Sequence, residues 1–274
     1  MTAPPGGEEP GVGIVVVSHS RALADAAVAL AAEMLHGREP RIAVAAGIDA
    51  TAFGTDAVQI KAAIERVDSE AGVVVLMDMG SAVMSAELAL DLLEGPVRNR
   101  VLLSPAPLVE GLVVAAVAAA GGAARTEVAA QADAALLGKS AHLAADAPAA
   151  DAPAADAPPA DAPAADAAVD GGASVVGTFT VENTQGLHAR PAARLVAEVG
   201  SLDATVTLRN LTTGKGPVPA GNLLRVATLA ASQGHVMEVA VSGRQAQAAL
   251  DHLLALARRR FDEEPSTPGP TDSR

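Results

Sequence analysis

The 274-residue chain has no cysteine, no tryptophan, no tyrosine and only three phenylalanines. Without thiols it forms no disulfides and offers neither a thiolate nucleophile nor a soft metal ligand. Without aromatic rings it lacks the platforms on which single-stranded bases stack, and its cores must be built from Ala, Val, Leu and Ile. No apolar run approaches the roughly 18 residues of a membrane-spanning helix. No signal-peptide pattern precedes the first strand-like run, so a reducing, cytoplasmic compartment is expected. Neither nucleic acid nor a membrane is an expected partner.

The net charge is −13, and its distribution divides the chain. Residues 11–138 carry eight basic and fifteen acidic side chains, whereas residues 174–261 carry nine basic against five acidic. Between them, ADAPAADAPAADAPPADAPAADAA repeats an aspartate every five residues, from Asp146 to Asp166. A five-residue period matches neither helix nor strand, the prolines remove amide donors, and there is little to bury. Residues 139–173 therefore read as a disordered Ala/Pro/Asp linker, with a reach of about 100 Å if extended and roughly 30 Å if coiled. Domains are expected at 11–138 and 174–261, with a disordered tail at 262–274. The basic balance of the second module suits acidic protein surfaces, which steer its association.

The first module alternates Val/Ile runs with helix-like runs: VGIVVVS then RALADAAVALAAEM, RIAVAA then DAVQIKAAIERV, GVVVLMD then SAVMSAELALDLL, RVLLS then LVEGLVVAAVAAA. This is the pattern of an α/β domain with a parallel sheet covered on both faces. Such sheets place their chemistry at the carboxyl ends of the strands. There the chain has SHS, with His19 after the first strand, and MDMGSA, with Asp78 after the third and Gly80 and Ser81 opening a helix. A helix N-terminus suits a phosphoryl group, and a carboxylate holding one imidazole nitrogen leaves the other free as a nucleophile. A serine-capped helix carrying a surface histidine fits the same local sequence equally well. Gly47, Gly54 and Thr55 could shape the adjoining loop.

The second module reads strand, helix, two strands, short helix, strand, helix, an α+β open-faced sandwich. At its first strand-to-helix seam stands GLHARPAA, residues 186–193. Gly186 permits a sharp turn, His188 occupies the cap region, and Pro191 is tolerated in the first turn. Arg190 adds a guanidinium that opposes a protonated imidazole but favours a phosphorylated one. The remaining histidines, His36, His142, His235 and His252, read as structural or solvent-facing. No two of the six are at metal-ligand spacing, so neither a metal nor a bound cofactor is expected.

GLHARPAA and residues 174–261 around it resemble HPr, the histidine phosphocarrier of the phosphoenolpyruvate-dependent phosphotransferase system. Residues 11–138 are similar to the mannose-type enzyme IIA fold. Through VVVSHS, LMDMGSA and SPAPLVEG they resemble more closely the phosphoryl-donor subunit of phosphoenolpyruvate-dependent dihydroxyacetone kinase. The resemblance implies a phosphoryl group carried on Nδ1 of His188, assisted by Arg190, and on Nε2 of His19, oriented by Asp78. Ser104, Pro105 and Glu110 fall in the third stretch and receive no chemistry. The position where many HPr proteins carry a regulatory serine is here Asn222.

The implied partners are a separate enzyme I, the ADP-holding L subunit and the K subunit of the kinase, with a homodimer through the first module. The implied activity is that of a phosphoenolpyruvate–glycerone phosphotransferase subunit. Two other readings remain open: a IIA–HPr fusion serving a mannose-type sugar transporter, and a regulatory module whose phosphorylation state is read by a binding partner.

Overall fold

The computed structural model describes residues 11–35, 39–49, 51–137 and 174–263; the linker, His36, His142 and the tail beyond 263 lie outside the described residues. In the first module β1 (Gly13–Ser18), β2 (Ile42–Ala46), β3 (Val73–Met77) and β4 (Val101–Ser104) form an all-parallel sheet of order β2-β1-β3-β4. Its helices are α1 (Arg21–Ala32), α2 (Ala57–Val67), α3 (Gly80–Asp91), the short α4 (Gly95–Arg98), α5 (Leu108–Ala120) and α6 (Arg125–Asp133).

The continuous apolar strands are explained by the two cores they separate. Ile14, Val16, Val74 and Leu76 point to the α1 and α5 side, while Val15, Val17, Val73, Val75 and Met77 point to α2 and α3. A strand covered on both faces has no position left for a polar side chain, so β1 and β3 are buried throughout. Polar residues enter only where the strands stop. Pairing of Val17 with Met77 brings those two stops level, so that residues 18–20 and 78–81 share one edge.

The second module contains β5 (Val175–Thr180), α7 (Ala189–Gly200), β6 (Thr205–Asn210), β7 (Val218–Pro219), α8 (Leu223–Thr228), β8 (Val236–Ser242) and α9 (Ala246–Arg258). The strands form an antiparallel sheet of order β5-β8-β6-β7. Met237, Val239 and Val241 alternate inward along β8 to meet α7 and α9, which gives the one-sided sandwich expected from the sequence. After α9 the chain makes a tight turn, Arg260–Asp262, that buries Phe261 edge-on against Phe179. Asp262 and Glu263, placed in the tail by composition, are hydrogen-bonded parts of this fold.

Helix α5 serves both modules. Leu112, Ala115, Ala116 and Ala119 pack on the parallel sheet, while Val114 and Val117 join the core of the second module against α7. A helix wanted on two sides is apolar nearly all round, which accounts for LVEGLVVAAVAAA. Backbone meets backbone where the two modules close: a Cβ on Gly200 would lie 2.0 Å from the Gly121 carbonyl oxygen, so only glycine fits there. Arg190 of α7 also donates to Glu33, the C-cap of α1, at 2.8 Å.

Candidate functional site

At the edge of the parallel sheet, Asp78 follows β3 and collects four donors. Its Oδ2 accepts from the Ser18 hydroxyl at 2.9 Å and the His19 amide at 2.8 Å; its Oδ1 accepts from His19 Nδ1–H at 2.9 Å and the Met79 amide at 2.7 Å. Burial works to raise this carboxyl, but the hydrogen bonds from His19 and Ser18 outweigh it, and Asp78 sits below the ordinary aspartate range. An ionised carboxylate is acceptor-only, so the neutral ring of His19 carries its hydrogen on Nδ1. Nε2 then keeps the lone pair and faces the Ser81 hydroxyl, which donates to it at 2.7 Å.

Ser81 belongs to the first turn of α3, and the cap of that helix is Met79, which makes no side-chain cap bond. The Ala82 amide bonds back to the Met79 carbonyl at 2.9 Å, which leaves the Gly80 and Ser81 amides at a positively polarised helix end that Nε2 faces. The space there is open, since a Cβ on Gly80 would meet nothing within 4 Å. The loop signalled by Gly47, Gly54 and Thr55 does adjoin the site: Gly54 donates its amide to the His19 carbonyl at 3.0 Å, with Gly47 and Gly54 at φ 70° and 145°. Thr55 instead bonds Ser85 on α3. Ser104 bonds Asp133 and the Ala106 amide, a role internal to the fold.

The second candidate centre stands at the start of α7. Gly186 takes φ 72°, and a Cβ there would lie 2.2 Å from the Ala231 carbonyl oxygen. That turn delivers His188 as the N-cap of α7, yet its side chain makes no cap bond. Its Nε2 is bound at 2.7 Å to Oε1 of Glu263. Burial tends to raise Glu263, but donors from Asn183 and His188, with the charges of His188 and Arg190, hold it below the ordinary glutamate range. Arg190 thus stands close enough to influence this centre while its guanidinium pairs with Glu33. Pro191 lies in the first turn, where its missing amide costs nothing.

His235 and His252 have other partners than the carboxylates of the two centres. His235 shares Nδ1 with Asn210 and the Ser232 amide, and His252 pairs with Glu198. Asn222 caps α8 by accepting from the Arg225 amide at 3.0 Å. Sequence reasoning places Ser81 at the helix start beside Asp78 but misses its bond to His19, and it misses Glu263 altogether, which carries no local signal. The two centres lie apart: α1 begins beside His19 and ends at Glu33, the partner of Arg190, about 18 Å further along the helix.

Two family models match the chain, one described as PTS system fructose IIA component over residues 13–129, the other as PTS HPr component phosphorylation site over residues 175–259. The chain is 41% identical over 258 residues to the phosphoryl donor subunit DhaM of the phosphoenolpyruvate-dependent dihydroxyacetone kinase of Pantoea ananatis, covering 93% of this chain and 52% of that protein. It is 34% identical over 106 residues to the phosphoryl donor subunit DhaM of dihydroxyacetone kinase 2 of Listeria innocua, covering 39% of this chain and 84% of that protein. It is 36% identical over 73 residues to the phosphocarrier protein HPr of Haemophilus influenzae, covering 27% and 82% respectively. The chain spans about half the length of the curated relatives that it matches across both modules. With a IIA-type module and an HPr module each matched along nearly its full length, the chain belongs to the family of phosphoryl donor subunits of phosphoenolpyruvate-dependent dihydroxyacetone kinase.

Proposed function

We propose that this protein relays phosphoryl groups from phosphoenolpyruvate, through enzyme I, to His188, then to His19, and finally to ADP held on the L subunit of a dihydroxyacetone kinase. The observation that carries this reading is a pair of histidines anchored by carboxylates through opposite ring nitrogens, each beside a helix start without a side-chain cap. His188, bound through Nε2, offers Nδ1; His19, bound through Nδ1, offers Nε2.

The chemistry follows from the lone pairs. Nδ1 of His188 attacks the phosphorus of phosphorylated enzyme I, forming a P–N bond as the donor's breaks. Nε2 of His19 then attacks in line, its own P–N bond forming as that to His188 breaks, and a terminal oxygen of ADP displaces His19 to give ATP. Each phosphorylated ring keeps its remaining N–H and gains positive character, which the facing carboxylate stabilises. The Ser81 hydroxyl and the α3 amides are placed to donate to the incoming phosphoryl oxygens. Exposed Met79 and Phe53, the latter 77% exposed, flank His19 and suit an apolar rim for a docking partner.

ATP appearing on a purified ADP-loaded L subunit, on mixing with phosphoenolpyruvate, enzyme I and this protein, tests the relay. Acid-labile phosphate retained on the protein with no ATP formed would overturn the proposed destination.

Asp78→Asn should lower delivery from His19 roughly 100-fold, the scale of losing an oriented acid–base partner, while leaving charging of His188 intact. The carboxyl of Asp78 titrates in the folded state below its unfolded value. Its stabilisation is therefore complete above the ordinary carboxylate range and lost as pH falls through the folded value. The variant should accordingly flatten the acid side of the urea midpoint plotted against pH; an unchanged acid limb would show that Asp78 contributes nothing to it.

Because Arg190 and α7 are seated at the Glu33 end of α1, transfer to His19 requires the second module to leave that seat or to serve the first module of another chain. A tether of 35 residues keeps the carrier at roughly millimolar effective concentration if it spans the gap. Shortening residues 139–173 to ten should slow transfer between the histidines at low protein concentration and make it concentration-dependent, as read by rapid quench. A rate independent of linker length would count against transfer on the tether.

A further inference from the structure

We propose that Glu263, held by Asn183, is the positioning residue that fixes the tautomer of His188 and so selects Nδ1 as its phosphoryl-accepting atom. This rests on the reading of His188 as a phosphoryl carrier and extends it to a residue 75 positions away. The carboxylate accepts from His188 Nε2–H through Oε1 at 2.7 Å and from Asn183 Nδ2 through Oε2 at 2.6 Å. Both oxygens are engaged, so the carboxylate is fixed in orientation as well as in place. An imidazole whose Nε2 hydrogen is held in this way leaves its lone pair on Nδ1.

The backbone that brings Glu263 there is costly. Arg260, Phe261 and Asp262 have φ of 55°, 56° and 59°, the left-handed region, which disfavours each of these side chains. Such a run persists only where its surroundings over-determine it. Phe261 is 1% exposed and packed on Phe179, and the Arg260 carbonyl accepts from Asn183 Nδ2 at 2.8 Å. Asp262 bridges Arg194 of α7 and Arg259, at 3.1 and 2.8 Å. Arg194 also pairs with Glu198, which holds His252. Contacts to α7 and to the end of α9 thus clasp the turn, and the next side chain meets the imidazole. Asn183 is itself buried, and its one amide nitrogen serves both the turn and the carboxylate.

A residue that merely packed would not govern which nitrogen carries hydrogen, and nitrogen-15 spectra of the full chain report that directly. In the unsubstituted protein His188 should show the Nε2–H tautomer at neutral pH. Glu263→Ala should give a mixture of tautomers and slow phosphorylation by enzyme I roughly tenfold, the scale of one charge-assisted hydrogen bond. Glu263→Gln, whose amide oxygen can still accept, should restore the Nε2–H tautomer and part of the rate. Unchanged amide dispersion in the second module certifies that the variants are folded; should Glu263→Ala unfold it, Asn183→Ala, which releases Oε2 of Glu263, should give the same mixture of tautomers, and an unaltered tautomer there would count against the assignment. An unaltered tautomer and rate in Glu263→Ala, or an Nδ1–H tautomer in the unsubstituted protein, would overturn the assignment. The tautomer needs no phosphoryl donor, so a protein that enzyme I fails to charge counts against the relay and leaves the result on Glu263 standing.

Discussion

His188→Ala abolishes incorporation of phosphate from phosphoenolpyruvate and enzyme I, and with it ATP formation on the L subunit, if the relay runs from enzyme I through His188 to His19. The loss should be complete within detection, because the substitution removes the nucleophilic atom and, among the described residues, no other histidine of the second module caps a helix start with its Nδ1 free. His235 shares its Nδ1 with Asn210 and the Ser232 amide, and His252, paired with Glu198, lies on α9 away from the α7 helix start. The fold should survive, since His188 is a half-buried cap whose side chain makes no cap bond. Radiolabelled phosphoenolpyruvate measures the charging. Label accumulating on His19 in this variant would mean that enzyme I reaches the first module directly.

His19→Ala provides the complementary result. The second module should charge normally on His188 and then hold its phosphate, so that one equivalent of acid-labile label is retained and no ATP forms. The effect on delivery should again be total, because Ser81 and Asp78 are arranged around the imidazole and neither is a substitute for Nε2. The bond between Ser18 and Asp78, 2.9 Å long, does not involve the ring and should hold the edge of the sheet together without it. Mixing the two variants adds a discriminating measurement. Charged His19→Ala chains paired with His188→Ala chains should regain ATP formation if one chain can serve another, and should stay inactive if transfer is confined within a chain.

What sequence can reveal in this chain follows from how local each signal is. The strands of the first module are continuous Val/Ile runs because they are covered on both sides, and their stops at Ser18 and Met77 mark the edge where His19 and Asp78 meet. His188 is legible because Gly186, Pro191 and the helix after them are adjacent in the chain. Glu263 is not, since its approach depends on three left-handed residues, none of them glycine, and on a buried asparagine 80 positions earlier. Local sequence ties Arg190 only to the imidazole beside it; its pairing with Glu33 depends on how the second module seats against α1 and α5. The double duty of α5 is likewise hidden: an apolar helix looks the same whether one side or two are covered. Helix α6 is too short of apolar residues to stand out, with only Val128, Gln131 and Ala132 buried.

The edge-on pair of Phe179 and Phe261 has an optical consequence. The chain has no tryptophan or tyrosine, and its third phenylalanine, Phe53, is largely in solvent. Its near-ultraviolet circular dichroism therefore comes almost wholly from two rings, one of which sits two residues before Glu263. Opening the turn that carries that carboxylate would extinguish the signal while the helices stayed intact, giving the protein a built-in spectroscopic reporter of whether His188 is held.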